Sequence, residues 1–366
     1  MCQAFTDSGH NVLLSGLENK HDTSDPITYY GLKGGFRIEL KAERNWVDVL
    51  GKLGKLLLSF TMGIHARRII RRFDPQIVYS RLTVLQLLFV PRKIPIVIEM
   101  HSLGPLGRKG IKRRILHYAL TAKRIRRIIV TTNVLREFIL NMAPDADVVV
   151  ARLSAEPPVP ITDQEVDRFR DEHLLGSMFD FHVGYTGYLD INGLRGTQVI
   201  CQLAKSMPNT AFHVVGGKPD IVAYWRRYIE NSGHHNNIFF YGHRNPSEVP
   251  YFLHCFDIVL APLQYRPSAR APIGAGMSPL KIPQYMAYAK AIIASDIPAH
   301  RELLEHDRTA LLATYDDALK WKEAIDQLMN SRTKCLRLGD EAFRAYNEGF
   351  TPELRVQNIL QDTHDW

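Results

Sequence analysis

Cysteine is scarce in this chain. Its four cysteines, Cys2, Cys201, Cys255 and Cys335, lie far apart with no CxxC pair. That excludes a cysteine-rich zinc site and suits a reducing compartment. Long apolar runs are missing as well. The most apolar stretch, 47–64, carries Asp48, Lys52 and Lys55 at helical spacing, whereas a membrane span needs about 20 mostly apolar residues. The start, "MCQAFTDSGHNVLLSG", has no basic segment leading into an apolar core, so it does not read as a secretory signal. No short-period repeat or low-complexity tract occurs. Acid is absent from one window: between Met100 and Arg136 there is no Asp or Glu.

That window holds ten basic residues: Arg108, Lys109, Lys112, Arg113, Arg114, Lys123, Arg124, Arg126, Arg127 and Arg136. The whole chain carries +8, so everything outside the window sums to about −2. The basicity is local and asks for a local explanation. Apolar Ile111, Ile115, Leu116 and Leu120 are interleaved with it, as in interfacial helices. A solvated charged face and an anionic lipid surface both fit. Nucleic acid fits the charge alone, because no recognised motif accompanies it and aromatics are sparse, and no nucleic-acid partner is expected.

At 366 residues, with 45% hydrophobic and 23% charged residues, the composition is that of a soluble globular protein too long for one ordinary core. Short apolar runs alternate with amphipathic stretches, the pattern of α/β domains with parallel sheets. Strands are expected at Asn11–Ser15, Ile77–Ser80, Ile94–Met100, Ile128–Thr131 and Val148–Ala151, with helices over Trp46–Phe73 and Ile111–Leu120. In the longer helix Trp46, Val49, Leu50, Leu53, Leu57, Phe60 and Ile64 form the apolar face, with Lys52, Lys55 and Ser59 opposite. The second half repeats the alternation at Phe181–Thr186, Ala211–Val215, Ile238–Tyr241, Ile258–Ala261 and Ala291–Ser295. The expected layout is a Rossmann-like domain over 1–155, a Pro- and acid-rich linker over 156–177 and a second Rossmann-like domain over 178–345. A C-terminal helix within 346–366 is expected to return to the first domain. Residues 3–9 followed by "HNVLL" read as a first helix leading into a second strand; the apolar strand and glycine-rich turn that would precede them are absent from the chain.

Four places in the second half end a strand with small or polar residues. After "VGYTGYLDINGLRG", Gly187, Gly193 and Gly196 flank Arg195; such a turn is either a tight connection or a phosphate cradle. Its spacing is not GxGxxG. "HVVGGKPD" ends in Gly216-Gly217, and "FYGHR" brings His243 and Arg244 to a strand end. In "GMSPLKIPQYMAYAKAIIASD", Ser278 and Pro279 read as N-cap and first helical residue, placing Lys281 and Gln284 three apart near the helix start. Asp145–Asp147 precedes the apolar run "VVVA", so it does not read as the DxD metal motif of a metal-dependent transferase. His234-His235 are adjacent, a poor geometry for one ion. No metal and no cofactor are expected.

In order and spacing these motifs resemble a GT-B fold glycosyltransferase, most like the retaining family 4 (glycosyl transferases group 1). The resemblance covers most of 180–315, with "PLKIPQYMAYAKAIIASD" its strongest motif; "FDPQIVYSR", "IPIVIEMHS" and "IIVTTNVLREFI" carry it more loosely in the first half. It implies an α/β GT-B fold, two doubly wound parallel-sheet domains facing across a cleft. It also implies a hexosyltransferase-type enzyme moving a sugar from a nucleoside-diphosphate donor, UDP-sugar favoured, to a glycan or polyprenyl-linked glycan in surface polysaccharide synthesis, with retention.

By the same resemblance Arg195 and Lys281 neutralise the diphosphate, while Tyr188 replaces a frequent arginine and so withholds one bond to phosphate. Gly187, Gly217, His243 and Arg244 line the nucleotide, and Gln284 meets the ribose. Gly276, Met277, Ser278 and Leu280 contribute backbone contacts, with Gly276 standing where the family has an acid. His101 falls near the reacting centre, either catalytic or a loop histidine. Lys109, Lys112, Arg113 and Arg114 would lie on the acceptor side, docking 108–127 on an anionic membrane from the cytoplasmic face. A sugar-nucleotide epimerase or a non-catalytic partner subunit are the alternatives.

Overall fold

The computed structural model describes residues 1–18, 25–42, 51–81, 87–101, 111–233, 236–265 and 279–363. The chain divides into two units. The first is Met1–Arg152 together with Pro352–Trp366, and the second is Leu153–Thr351.

The first unit opens with α1 (Cys2–Asp7), β1 (Leu13–Leu17), α2 (Pro26–Tyr30) and β2 (Arg37–Lys41). β1 and β2 form a parallel two-stranded sheet of their own. Then come α3 (Gly51–Phe73), β3 (Val78–Arg81), β4 (Ile96–Met100), α4 (Ile111–Leu120), β5 (Ile125–Val130), α5 (Asn133–Leu140) and β6 (Val148–Val150). The last four strands make a parallel sheet in sequential order β3-β4-β5-β6. All five residues of β4 are buried, the near-continuous apolar run required of a strand covered on both faces. β2 was not expected, because "RIEL" is too short and charged to stand out.

The apolar face of α3 differs from expectation. Leu53, Leu57 and Phe60 are exposed, as is Leu56. The side facing the protein instead runs through Gly54, Leu58 and Met62, and Gly63 sits so close to Phe89 that a Cβ there would lie 2.2 Å from the ring. Close approach through glycine selects the face here, overriding side-chain hydrophobicity. Trp46, Val49 and Leu50 lie outside the described residues.

The second unit holds α6 (Asp163–His173), β7 (His182–Thr186), α7 (Thr197–Ser206), β8 (Ala211–Val215), α8 (Pro219–Asn231), β9 (Ile238–Gly242), α9 (Val249–Cys255), β10 (Ile258–Ala261), α10 (Lys281–Ala287), β11 (Ala291–Ser295), α11 (Pro298–Arg301), β12 (Leu311–Ala313), α12 (Ala318–Met329) and α13 (Arg332–Gly349). The stretch 156–177, expected as a linker, lies wholly within this unit. Thr162 and Glu165 close a capping box at the start of α6, and Val166 and Phe169 bury against Phe252 and its neighbours. Six parallel strands run in the order β12-β11-β10-β7-β8-β9. The order reverses between β7 and β10, and the crevice outside the carboxyl ends of two such strands is where doubly wound sheets place ligands.

The last helix, α14 (Pro352–Leu360), belongs to the first unit. Ile359 is fully buried in a cluster with Val97, Ile129 and Ala151, and Arg127 donates to the Ile359 carbonyl at 3.1 Å. Among the described residues no helix is long and apolar enough to cross a membrane.

Candidate active site

Two loops meet at the β7/β10 switch point. After β7 the chain passes Gly187 and turns through Tyr188–Gly196 into α7. After β10 it continues from Pro262. Gln264 N–H donates to the Leu194 carbonyl at 2.9 Å, tying one loop to the other. Gly196 has φ 76°, and a Cβ there would lie 1.7 Å from the Pro262 carbonyl oxygen. Only glycine satisfies both constraints.

The floor is equally tight. A Cβ on Gly216 would fall 2.0 Å from the Gly187 carbonyl, and Gly187 N–H donates to the Val215 carbonyl at 2.9 Å. Gly217 packs on Leu189, where a Cβ would stand 2.7 Å from Cδ1. Glycine at the ends of β7 and β8 thus lets the protein's own backbone and side chains close on one another, with Gly216 and Gly217 buried and Gly187 partly exposed.

Lys281 opens α10. Its Nζ sits 3.6 Å from the centroid of the Tyr185 ring and beside Gly187, whose hypothetical Cβ would be 3.2 Å away. Tyr185 is itself fully buried and donates through its hydroxyl to the Tyr188 carbonyl at 2.8 Å. Among the described residues no carboxylate pairs with Lys281. Burial, and then the charge of Arg195, hold its pKa well below that of an ordinary lysine. Arg195 stands over the Tyr188 ring, 5.8 Å from its centroid, with its Nε 3.9 Å from Asp190 Oδ2. Asp190 is fixed in turn, accepting from Leu194 N–H at 3.0 Å, while its carbonyl accepts from Trp225 Nε1. The site thus gathers two cations and restrains one of them only loosely.

The helix begins later than expected. α10 starts at Lys281, not Pro279, with Leu280 preceding it at φ −54° and ψ −29°. Ile282 N–H bonds the Pro279 carbonyl at 3.3 Å, so the entry is a tight i→i+3 turn. Gln284 is partly exposed one turn on, and Leu280 is exposed. Gly276, Met277 and Ser278 lie outside the described residues. His243 and Arg244 follow β9, at the sheet edge two strands from β7; Arg244 pairs with Glu248 at 3.6 Å. β9 reaches the floor through its pairing with β8, extended by the bond from Gly216 N–H to the Gly242 carbonyl at 2.8 Å.

Sequence reasoning missed two side chains. His300, on α11, is fully buried; its Nδ1–H donates to the Ser295 carbonyl at 2.8 Å, and its Nε2 has no partner among the described residues. Burial is the main force holding its pKa down at about 4, with Lys281 adding to it against the Ser295 bond. Thr197, the first residue of α7, is fully buried, and its Oγ1 has no partner among the described residues. A histidine five residues past a strand and a threonine after "LRG" were the available signals; neither belongs to a motif.

His101 is placed apart from these, in the first unit at the end of β4. Its Nε2–H donates to Glu99, and its Nδ1 accepts from Arg81 at 3.0 Å. Both ring nitrogens are engaged, which fixes the neutral tautomer. Glu99 is buried on β4 and also accepts from Tyr79 and, at 2.6 Å, from Arg355 of α14. Burial pushes the Glu99 carboxyl up, but the His101 bond, the Arg355 charge and the Tyr79 bond outweigh it and leave it well below the usual range. Of the basic acceptor-side residues, Arg114 is exposed on α4. Lys109 and the side chains of Lys112 and Arg113 lie outside the described residues.

Comparison with known proteins agrees with this architecture. The family model described as Glycosyl transferases group 1 matches residues 182–331, and that of Glycosyltransferase Family 4 matches residues 1–152. Together they take in most of the chain, which belongs to the GT-B glycosyltransferases of the group 1/family 4 type. It is accordingly an enzyme that transfers sugar. No curated protein matches the chain. Among solved structures it resembles the Anabaena protein HepE in complex with UDP and glucose, at 16% identity and a TM-score of 0.72 over 100% of this chain and 95% of that one. A glycosyltransferase from Rickettsia africae matches at 13% identity and a TM-score of 0.72, covering 99% and 93%. Sucrose-phosphate synthase from Thermosynechococcus elongatus matches at 13% identity and 0.70, covering 100% and 91%.

Proposed function

We propose that the second unit binds a UDP-sugar at the β7/β10 switch point and that the enzyme transfers its sugar to a glycan or lipid-linked glycan with retention. The observation that carries the reading is Lys281. It is a basic residue with no carboxylate partner among the described residues, near Arg195 and beside the partly exposed Gly187, a setting suited to a diphosphate. Charge developing on the leaving diphosphate is stabilised by these fixed groups. Thr197 Oγ1 and His300 Nε2 offer further polar atoms; each, left unmet when buried, costs about 1–3 kcal/mol. Gln284 serves the ribose hydroxyls, since an amide both donates and accepts, and the end of β9 with His243 and Arg244 serves the base. UDP is favoured because structural relatives such as HepE were solved with it.

On the acceptor side His101 is the candidate catalytic residue, presented as a neutral imidazole by Glu99 and Arg81. The basic segment 108–127 suits an anionic lipid surface near such an acceptor. The test is a thermal-shift panel of UDP-, GDP-, ADP- and TDP-sugars. Stabilisation by UDP-sugars is expected; stabilisation by none of them would sink the donor site. The anomeric configuration of the product, read by NMR, tests retention.

A further inference from the structure

A cavity of about 800 Å³ opens in the first unit at the N-terminal edge of its four-stranded sheet. Gln76 precedes β3, Pro95 precedes β4 and Arg124 precedes β5, and all three line it. His101 follows the other end of β4, so one strand of five residues at about 3.3 Å each, roughly 17 Å, separates the two places.

The lining is strongly one-signed. Arg92, Lys93, Lys123, Arg124 and Arg126 surround the cavity, and Asp74 is the single acid among its lining residues. Asp74 pairs with Lys93 at 3.7 Å, with both side chains largely in solvent. Arg124 donates to the Val90 carbonyl at 3.1 Å; burial and then the charge of Arg92 lower its pKa. Among the described residues Arg92, Lys123 and Arg126 make no ion pair. The carboxyl ends of α3 and α4 also reach this edge, at Phe73 and Leu120. Each contributes roughly half a negative charge. Setting those and Asp74 against five cations leaves about +3 around one concavity. Nothing in the fold requires that crowding, and like charges so placed repel.

We propose that this cavity is an anion site, separate from the donor site, that takes phosphate groups. The surplus charge exceeds what a single carboxylate neutralises, and guanidinium forks match phosphate oxygens. Exposed Tyr118 stands on the rim. The phosphate can come from an anionic phospholipid headgroup or from a soluble phosphate compound. The proposal stands independently of the donor-site reading.

The test compares the full chain with its R92Q/K123Q/R126Q variant, whose three altered side chains are exposed and make no ion pair among the described residues, so its melting temperature should hold or rise. One arm measures sedimentation with phosphatidylcholine vesicles, with and without phosphatidylglycerol. The other measures the thermal shift with inorganic pyrophosphate. Binding to phosphatidylglycerol vesicles that weakens on the order of a hundredfold in the variant assigns the site to a headgroup. A pyrophosphate shift that the variant loses, without vesicle binding, assigns it to a soluble ligand. If wild type and variant respond alike in both arms, or neither responds in either, the proposal is overturned.

Discussion

Replacing Lys281 with methionine separates binding from folding. The substitution keeps the unbranched stem over Tyr185 and removes the ammonium. Because that ammonium has no carboxylate partner among the described residues and lies near Arg195, its loss relieves repulsion. The melting temperature should hold or rise. Donor binding should fall, since one charge-assisted bond contributes about 1.5–3 kcal/mol, a factor of roughly 10 to 150 in Kd. The pH dependence follows from the same geometry. Among the described residues the groups facing the ammonium are Arg195, the Tyr185 ring and His300, none of them anionic. A free-state pKa held low leaves part of the lysine uncharged at alkaline pH; a bound diphosphate raises that pKa, so binding takes up a proton. Affinity should be greatest below the free-state pKa and decline as pH rises through it. Isothermal titration calorimetry with UDP, in buffers of different ionisation enthalpy, reads both the affinity and the proton count. Equal affinity of wild type and K281M would remove Lys281 from the site. A large fall in melting temperature would make its role structural.

Arg355→Ala should unfold the first unit more easily, by about 3–5 kcal/mol, because it strips the cation from a buried Glu99; urea denaturation measures it. The depressed Glu99 carboxyl adds a pH term: its stabilisation is present above the unfolded carboxylate value, about 4.3, and is lost as pH falls toward the folded one. In R355A that acid dependence should shrink. His101→Ala should lower product formation by about 10²–10⁴-fold while leaving the UDP affinity of the second unit unchanged. Equal turnover would leave His101 a structural loop residue.

Much of the fold was legible because its strands are buried on both faces. "IPIVIEM" and "AIIAS" are apolar runs bounded by turn residues, and the structure finds strands in both. β2 and β12 escaped because "RIELK" is charged and "LLA" spans three residues. The face of α3 could not be read from periodicity, since the contact that orients it is Gly63 against Phe89. At the candidate site, Lys281, Arg195 and the glycines were visible as a motif and come together at the switch point. His300 and Thr197 were not, because what distinguishes them is a buried atom without a partner among the described residues, a property only tertiary structure confers. The engagement of His101 by Glu99 and Arg81 was hidden for the same reason.

The bond between Glu99 and Arg355 joins positions 256 residues apart within one unit. During synthesis the first unit's sheet emerges early, yet Glu99 waits for Arg355 until the second unit has been made. The second unit can complete its own core in that interval, while the first cannot. A lesion confined to the last few residues of the chain would therefore show itself at the opposite end of the sequence, in the unit that was translated first.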